Sequence, residues 1–234
     1  MGTGAGADVG LSLKLFPVTE ARDELLALRY QAYLEAGLIE PSDAQVYSDR
    51  FDELPSTLLI GAFDESGCIG TLRLSFSENG TPDVSLPCES TYPEVAPLKQ
   101  ADVTIMELGR LALHPSIKNC SYRSTVYGAL VRSGVLTCMA TDVALTLVTS
   151  QLKWRAFYEY ICGFKAISEP RLYPPGGVPV VLFSRDFRTA DTRRIAQNRF
   201  FRISEEEVAE LREAVAPILT WRHAPAVEDV VVAA

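Results

Sequence analysis

The chain has 234 residues, is 47% hydrophobic and carries a formal net charge of -8. That length supplies a sizeable core in one large domain or two small ones, and the acidic balance argues against a general nucleic-acid binder, whose phosphate contacts need a basic surface. No apolar run reaches the roughly 18 residues of a membrane span, and the N-terminus has neither a basic n-region nor an apolar h-region, so a cytoplasmic protein with no transmembrane segment is expected.

The five cysteines, Cys68, Cys88, Cys120, Cys138 and Cys162, are odd in number and lack a C-x-x-C, so they read as free thiols. With only His114 and His223 present, a His-rich metal site or a Ser-His-Asp triad is poorly supplied. Neither a metal nor a tightly bound cofactor is expected.

In chain order, residues 1–10 are Gly- and Ala-rich and read as a disordered tail. Leu11 to Phe16 alternates like a first strand, ended by Pro17. Thr19 is placed to cap a helix from Glu20 to Glu35, with Leu25, Leu28, Ala32 and Leu34 on a core face. Arg29, Tyr30 and Tyr33 ride on that helix, and Arg29 there lies on a solvated face or lines a pocket. The next segment, D-A-Q-V-Y-S-D-R-F-D, is unusually aromatic for a surface loop. Thr57 to Phe63 and Cys68 to Phe76 form a hairpin that carries Arg73, and a Pro-rich connection from Pro82 to Pro97 is long enough to be a functional loop.

Val103 to Leu113 has the apolar content of a buried strand but holds Glu107, Gly109 and Arg110 in its middle. Charges in a core strand are costly unless paired, so they form either a mutual pair or a cleft floor. A glycine inside a strand suggests a β-bulge, and one extra residue would turn Glu107 and Arg110 toward the same side. Without a bulge they face opposite sides.

A helix from Ser121 to Met139 follows, with Lys118 and Arg123 near its start, where free amides favour an anion. Val143 to Val148 is a short buried strand, Lys153 to Cys162 a helix stopped by Gly163, and Phe164 to Ile167 with Val178 to Phe183 two more strands around a Pro-Pro-Gly-Gly turn. The stretch from Thr189 to Phe201 is basic, and Ser204-Glu-Glu-Glu opens a last helix by the capping-box pattern. The expected organisation is one main domain over 11–187, a helical appendage over 188–220 that covers an edge of it, and a flexible end over 221–234.

The strand followed by W-R-A-F-Y-E-Y-I-C-G-F resembles the closing motif of the GNAT acyltransferase superfamily. Read together with L-R-Y-Q-A-Y, D-R-F-D, G-T-L-R-L and M-E-L-G-R-L-A-L, it resembles the acyl-homoserine-lactone synthases and, more closely, the long-chain N-acyl amino acid synthases. The resemblance spans roughly Leu11 to Phe187. It implies an α/β (α+β) fold, a mixed, mostly antiparallel central sheet flanked by helices, with a C-terminal helical extension. It also implies an acyltransferase moving a long-chain acyl group to the amine of an amino acid. Arg29 and Tyr33 match the N-terminal helix motif, Asp49 and Asp52 the acidic pair, Arg73 the hairpin arginine, and Glu107 with Arg110 the strand motif. Gly109 stands where lactone synthases usually have Ser, and the tryptophan of their N-terminal cleft has no counterpart near Leu38, which argues against lactone synthesis.

On the acyltransferase reading Glu107 accepts the ammonium proton directly or through a water, with Arg110 beside it, and the superfamily resemblance implies that Tyr158 protonates the leaving thiolate. It puts a strand amide near Leu111 or Leu113 on the thioester carbonyl. Arg29, Arg73 and Arg110 then bind the acceptor's carboxylate or organise Asp49 and Asp52, in an order the sequence leaves open. Ile117-Lys-Asn-Cys-Ser-Tyr-Arg-Ser124 lacks the glycines of a CoA pyrophosphate loop, so the expected co-substrate is acyl-phosphopantetheine on an acyl carrier protein, with acyl-CoA as the alternative donor. Lys118, Ser121, Arg123, Ser124, Arg132, Lys153 and Arg155 form the expected carrier-binding set, a local basic patch for an acidic partner. Trp154 and Phe157 are candidates for an acyl tunnel. An acyl-homoserine-lactone synthase, a CoA-dependent N-acetyltransferase, and a non-catalytic module that binds acyl chains or a carrier protein are the competing readings.

Overall fold

A computed structural model describes residues 10–77, 85–99, 103–188 and 197–219. The expected flexible end at 221–234 and the tail at 1–10, Gly10 excepted, lie outside these residues, as do the first part of the basic stretch and the start of the Pro-rich connection.

The strands are β1 (Ser12–Pro17), β2 (Thr57–Asp64), β3 (Gly67–Ser77), β4 (Ile105–Leu113), β5 (Leu145–Ser150), β6 (Lys165–Ala166), β7 (Arg171–Tyr173) and β8 (Val178–Asp186). The helices are α1 (Asp23–Glu35), the single turn α2 (Ala96–Lys99), α3 (Cys120–Ala140) and α4 (Glu205–Val215). The sheet runs β1-β2-β3-β4-β5-β8-β6, with β7 paired to β8 off that path. Every pairing is antiparallel except β4 with β5. This is the mixed, mostly antiparallel α/β sheet that the order of elements implies.

One face of the sheet packs on α3. Leu72, Leu74, Met106 and Leu108 meet Val126, Leu130, Val131 and Val135 there, and Phe201, Ile203, Val215 and Leu219 of the C-terminal extension join the same cluster. The extension is fastened to α3 by Arg132, whose guanidinium donates to the Phe201 and Arg202 carbonyls and to Glu207. Ser204 and Glu207 form the expected capping box at the start of α4. The other face, from Ile105, Leu145, Leu147 and Leu182, is covered by Leu86, Cys88, Tyr92 and Val95. The described part of the Pro-rich connection is therefore a wall of short 3-10 turns rather than an open loop.

Four local expectations change. Thr19 caps nothing: the Glu20 N–H donates to the Pro17 carbonyl in a turn, and α1 starts at Asp23 after Arg22 with no side-chain cap. The segment 152–161 is a 3-10 turn followed by the π-helical turn Phe157–Ile161 rather than a plain α-helix. A wide turn of that kind is common beside functional sites. The strand expected at Phe164 to Ile167 is only Lys165–Ala166, and β7 was not foreseen. Arg29 lies on neither a solvated face nor a pocket wall, being completely buried.

The feature that positions the site is a break in β4. Its parallel pairing joins Ile105–Leu108 to Leu145–Val148 and stops, so the two strands splay beyond it. On the opposite edge Gly109 faces Arg73 and Ala112 faces Thr71, three steps against two, which is the expected bulge. The left-handed residue in it is Arg110, at φ +54°, and not Gly109.

Candidate active site

A buried ion network braces the bulge. Arg29, on α1, donates to Asp52 Oδ2 at 2.8 Å, and Arg73, on β3, lies 2.6 Å from Asp49 Oδ1 and 3.2 Å from Asp52 Oδ1. Arg110 reaches Asp49 Oδ2 through Nε at 3.1 Å and Nη2 at 2.8 Å, and Nη1 donates to the Pro174 carbonyl at 3.0 Å. The two aspartates are fixed by their own turn, the capped 3-10 helix Arg50–Glu53, in which Asp49 accepts from the Phe51 N–H and Asp52 from the Asp49 N–H. Burial opposes ionisation of Asp49, yet Arg73 and Arg110 outweigh it and hold its carboxyl below the ordinary range. Three guanidiniums thus face two carboxylates. Arg110, 10% exposed, is the guanidinium nearest the solvent, and three of its five N–H donors are used.

Glu107 sits beside this network on the same side as Arg110. Its Oε2 accepts from the Cys88 N–H at 2.9 Å, and its Oε1 faces the Tyr173 hydroxyl at 3.4 Å. Burial raises the Glu107 pKa above its ordinary value, because it outweighs the Cys88 hydrogen bonds and the charges of Arg73 and Arg110. A carboxyl shifted in that direction is suited to taking a proton near neutral pH. Gly109 keeps the ground in front of it clear: a Cβ there would meet only Glu107 Oε1, at 3.7 Å.

Two cavities meet at the splay. The inner one, of about 300 Å³, runs through the sheet, from Leu72, Leu108, Val131 and Val148 on the α3 face to Tyr173, Pro174, Gly176 and Val180 on the other. The outer one, of about 640 Å³, lies between the end of α1, the start of α3 and the aromatic ladder of Tyr127, Trp154, Phe157 and Phe200. Tyr33, Leu38, Leu111, Tyr127 and Trp154 border both, so the two form one bent channel with β4 of the bulge as its inner rail. Leu111 to Leu113 line the outer part of that rail. Such a channel suits a long apolar chain with a polar group at the bend.

The sequence-derived site residues divide accordingly. Tyr33, Arg110, Leu111 and Leu113 border the channel, and Glu107 lies just behind Gly109. Arg29 and Asp52, with 0% and 1% of their side chains exposed, are too deep to touch a substrate and brace Arg73 and Asp49 instead. Tyr158 borders the inner cavity, with its ring stacked on Phe183 and its hydroxyl joined to Tyr127 and Ser150. Of the basic set, Arg123 and Ser124 line the outer cavity and Lys153 the inner one, while Ser121 is exposed on the first turn of α3. Lys118 makes an exposed pair with Glu35 at 3.3 Å, and Arg155 pairs with Glu159. Arg132 leaves the set, because its guanidinium is engaged with the C-terminal extension. The α3 terminus is also less open to an anion than its sequence suggests, since Asn119 Oδ1 already takes the Tyr122 N–H.

Sequence reasoning missed Tyr173, Cys88, Tyr127 and Phe200. Nothing in their local pattern marks them, because each reaches the site by tertiary packing. The nearest signal was Tyr173 directly before the Pro-Pro-Gly-Gly turn, whose Gly176 lies so close to Leu38 that a Cβ there would collide with its side chain.

The model of the N-acyl amino acid synthase FeeM family matches residues 24–186, well over half of the chain. Among solved structures, the N-acyl amino acid synthase FeeM from uncultured soil microbes is similar at 19% identity and TM-score 0.60, over 76% of this chain and 92% of that one. The AHL synthase LasI is similar at 18% identity and TM-score 0.56, over 75% and 89%. The CoA-dependent acyl-homoserine lactone synthase BjaI, with SAM and isopentyl-CoA, is similar at 15% identity and TM-score 0.53, over 88% and 90%. No curated protein sequence matches the chain. Among the described residues no helix is long and apolar enough to cross a membrane.

Proposed function

The chain belongs to the N-acyl amino acid synthase FeeM family of acyltransferases, and on that footing we propose that it transfers a long-chain acyl group from an acyl carrier protein thioester to the amine of a free amino acid. The observation that carries this reading is the apolar channel through the β4/β5 splay, with the partly free Arg110 guanidinium on the wall of its inner part and the Glu107 carboxyl buried just behind Gly109. The pantetheine arm enters by the outer cavity, past Arg123 and Ser124, and lays its thioester along the open edge of β4. There a strand amide near Leu111 polarises the carbonyl as it becomes an oxyanion. The acyl chain occupies the apolar wall of Leu72, Leu108, Val131 and Val148.

The acceptor sits over Gly109. Arg110 holds its carboxylate through the two N–H groups that Asp49 and Pro174 leave free, and Glu107 takes the ammonium proton. Charge balance supports this pairing. When Glu107 becomes neutral, three guanidiniums remain against two aspartates, and the acceptor carboxylate supplies the missing negative charge. The neutral nitrogen attacks the thioester carbon, the C–S bond breaks, and the nitrogen's surplus proton ends on the departing sulfur. Tyr158, whose hydroxyl is joined to Tyr127 and Ser150 on the wall of the inner cavity, passes that proton on. No step requires a cofactor.

The test is a mass-spectrometric assay of purified protein with long-chain acyl carrier protein and a pool of amino acids. Acyl amino acids are expected from the carrier thioester. Turnover with long-chain acyl-CoA alone would transfer the donor role to CoA, and turnover with only short acyl-CoA would remove both the carrier and the long chain from the account.

A further inference from the structure

Glu107 is well placed to accept a proton yet poorly placed to meet a substrate. It is 2% exposed and does not border the channel. Its Oε2 is occupied by the Cys88 N–H. Only Oε1 is approachable, either across Gly109 or through the Tyr173 hydroxyl.

Tyr173 does border the channel, and it is unusually well held for a residue next to a glycine-rich turn. Its ring stacks on Tyr92 at 6.1 Å between centroids, and Tyr92 donates to the Val180 carbonyl at 2.7 Å. On the same short strand, Arg171 forks onto Glu94 at 2.6 and 2.7 Å, and the next residue, Pro174, accepts from Arg110. An ionised carboxylate only accepts hydrogen bonds, so the phenol must direct its one proton at Glu107 and leave its oxygen lone pairs for a donor in the channel. The only N–H donors an amino acid brings to this point are those of its ammonium group.

We propose that Tyr173 is the relay through which buried Glu107 deprotonates the acceptor. The ammonium proton passes to Tyr173 Oη as the phenol proton passes to Glu107 Oε1. Nitrogen keeps the electron pair of the broken N–H bond, Glu107 becomes a neutral acid, and Tyr173 ends as it began. This rests on the reading of Glu107 as the base. The charged and titratable groups around the pair are Cys88 from the covering turns, Arg73 from β3 and Arg110 from β4, with Tyr92 behind the ring. Burial and the nearby Glu107 charge hold the Tyr173 phenol strongly against ionisation, which keeps it a donor throughout. The 3.4 Å separation is of the kind that shortens once substrate is bound.

The experiment compares kcat against pH for Tyr173→Phe, Glu107→Gln and Gly109→Ala, each checked for folding by its circular dichroism and Tm. A relay gives Tyr173→Phe and Glu107→Gln the same signature. Both lose about ten- to a thousand-fold near pH 7, and the loss shrinks steadily as pH rises and free amine accumulates. Gly109→Ala, which adds a methyl to the direct approach, lacks that signature. If Gly109→Ala carries it and Tyr173→Phe does not, the base acts directly and the relay is wrong. A loss in Tyr173→Phe that is uniform in pH assigns the residue to packing alone and also overturns the proposal. Full activity in Glu107→Gln removes the base itself, a different failure that the same series identifies.

Discussion

Arg29→Ala should cost the protein about 3 to 5 kcal/mol of stability while leaving substrate affinity unchanged in whatever fraction stays folded. Arg29 has no exposed side-chain area, and its one strong partner is Asp52 at 2.8 Å, with a marginal 3.5 Å approach to the Tyr47 carbonyl. Removing the guanidinium leaves Asp52, 1% exposed, with only the Asp49 N–H and the 3.2 Å approach of Arg73. It also opens a void under α1. For a domain of this size that loss lowers Tm by about 6 to 20 °C. Arg29→Met is the informative control. It fills most of the space but leaves buried Asp52 without its Arg29 partner, so it should still cost about 3 kcal/mol, and its difference from Arg29→Ala reports the void alone. Urea melts of the two variants, with KM for both substrates, are the assay. Wild-type stability in Arg29→Ala together with a raised acceptor KM would mean that Arg29 touches substrate, and the assignment of Arg29 and Asp52 as bracing would be wrong.

Arg110→Ala, by contrast, should raise the acceptor KM about tenfold or more and leave the donor KM within about twofold, because its two free N–H groups are assigned to the acceptor carboxylate. Equal effects on both substrates would contradict that assignment. Glu107→Gln should be at least as stable as wild type at pH 8, with an advantage that narrows as pH falls toward the ordinary 4.5 of Glu. The folded-state pKa of Glu107 is raised, so ionising it weakens folding as pH climbs above 4.5, with the full cost present above the folded-state pKa. Asp49 has the opposite dependence, stabilising above 3.8 and losing that as pH falls, but it is common to both proteins and cancels in the comparison. An advantage that grows toward acid in thermal melts would refute the sign. Phe200→Ala should raise the donor KM several-fold and broaden the acyl range, since the ring is a wall of the outer cavity, packed edge-on to Phe157 at 5.5 Å. An unchanged donor profile in a competition assay with mixed chain lengths would exclude that role.

How much of this was legible in the sequence depended on whether the determinant was local. The oddity of Glu107, Gly109 and Arg110 in a core strand was visible because strand alternation makes any misplaced charge conspicuous, and the bulge it demanded is there. Which residue takes the left-handed conformation was not visible. Arg110 adopts it because Asp49 and the Pro174 carbonyl hold its guanidinium from outside the strand, a tertiary cause that outweighs the usual preference for glycine. Arg29 shows the same limit. Its helical position among aromatics was plain, but its burial follows from Asp52, 23 residues away. Arg132 reads in the sequence as one cation of a local basic patch, and only the returning extension reveals that its charge is engaged. Tyr173 lies on a three-residue strand too short to leave a periodic signature.

The most direct test of the account is the small-molecule profile of cells producing the chain, set beside cells producing Glu107→Gln at equal level. Mass spectrometry should find long-chain acyl groups in amide linkage to an amino acid in the first and at least ten-fold less in the second. Equal amounts in both would remove Glu107 from the chemistry, and no acylated amine in either would contradict the proposed reaction itself.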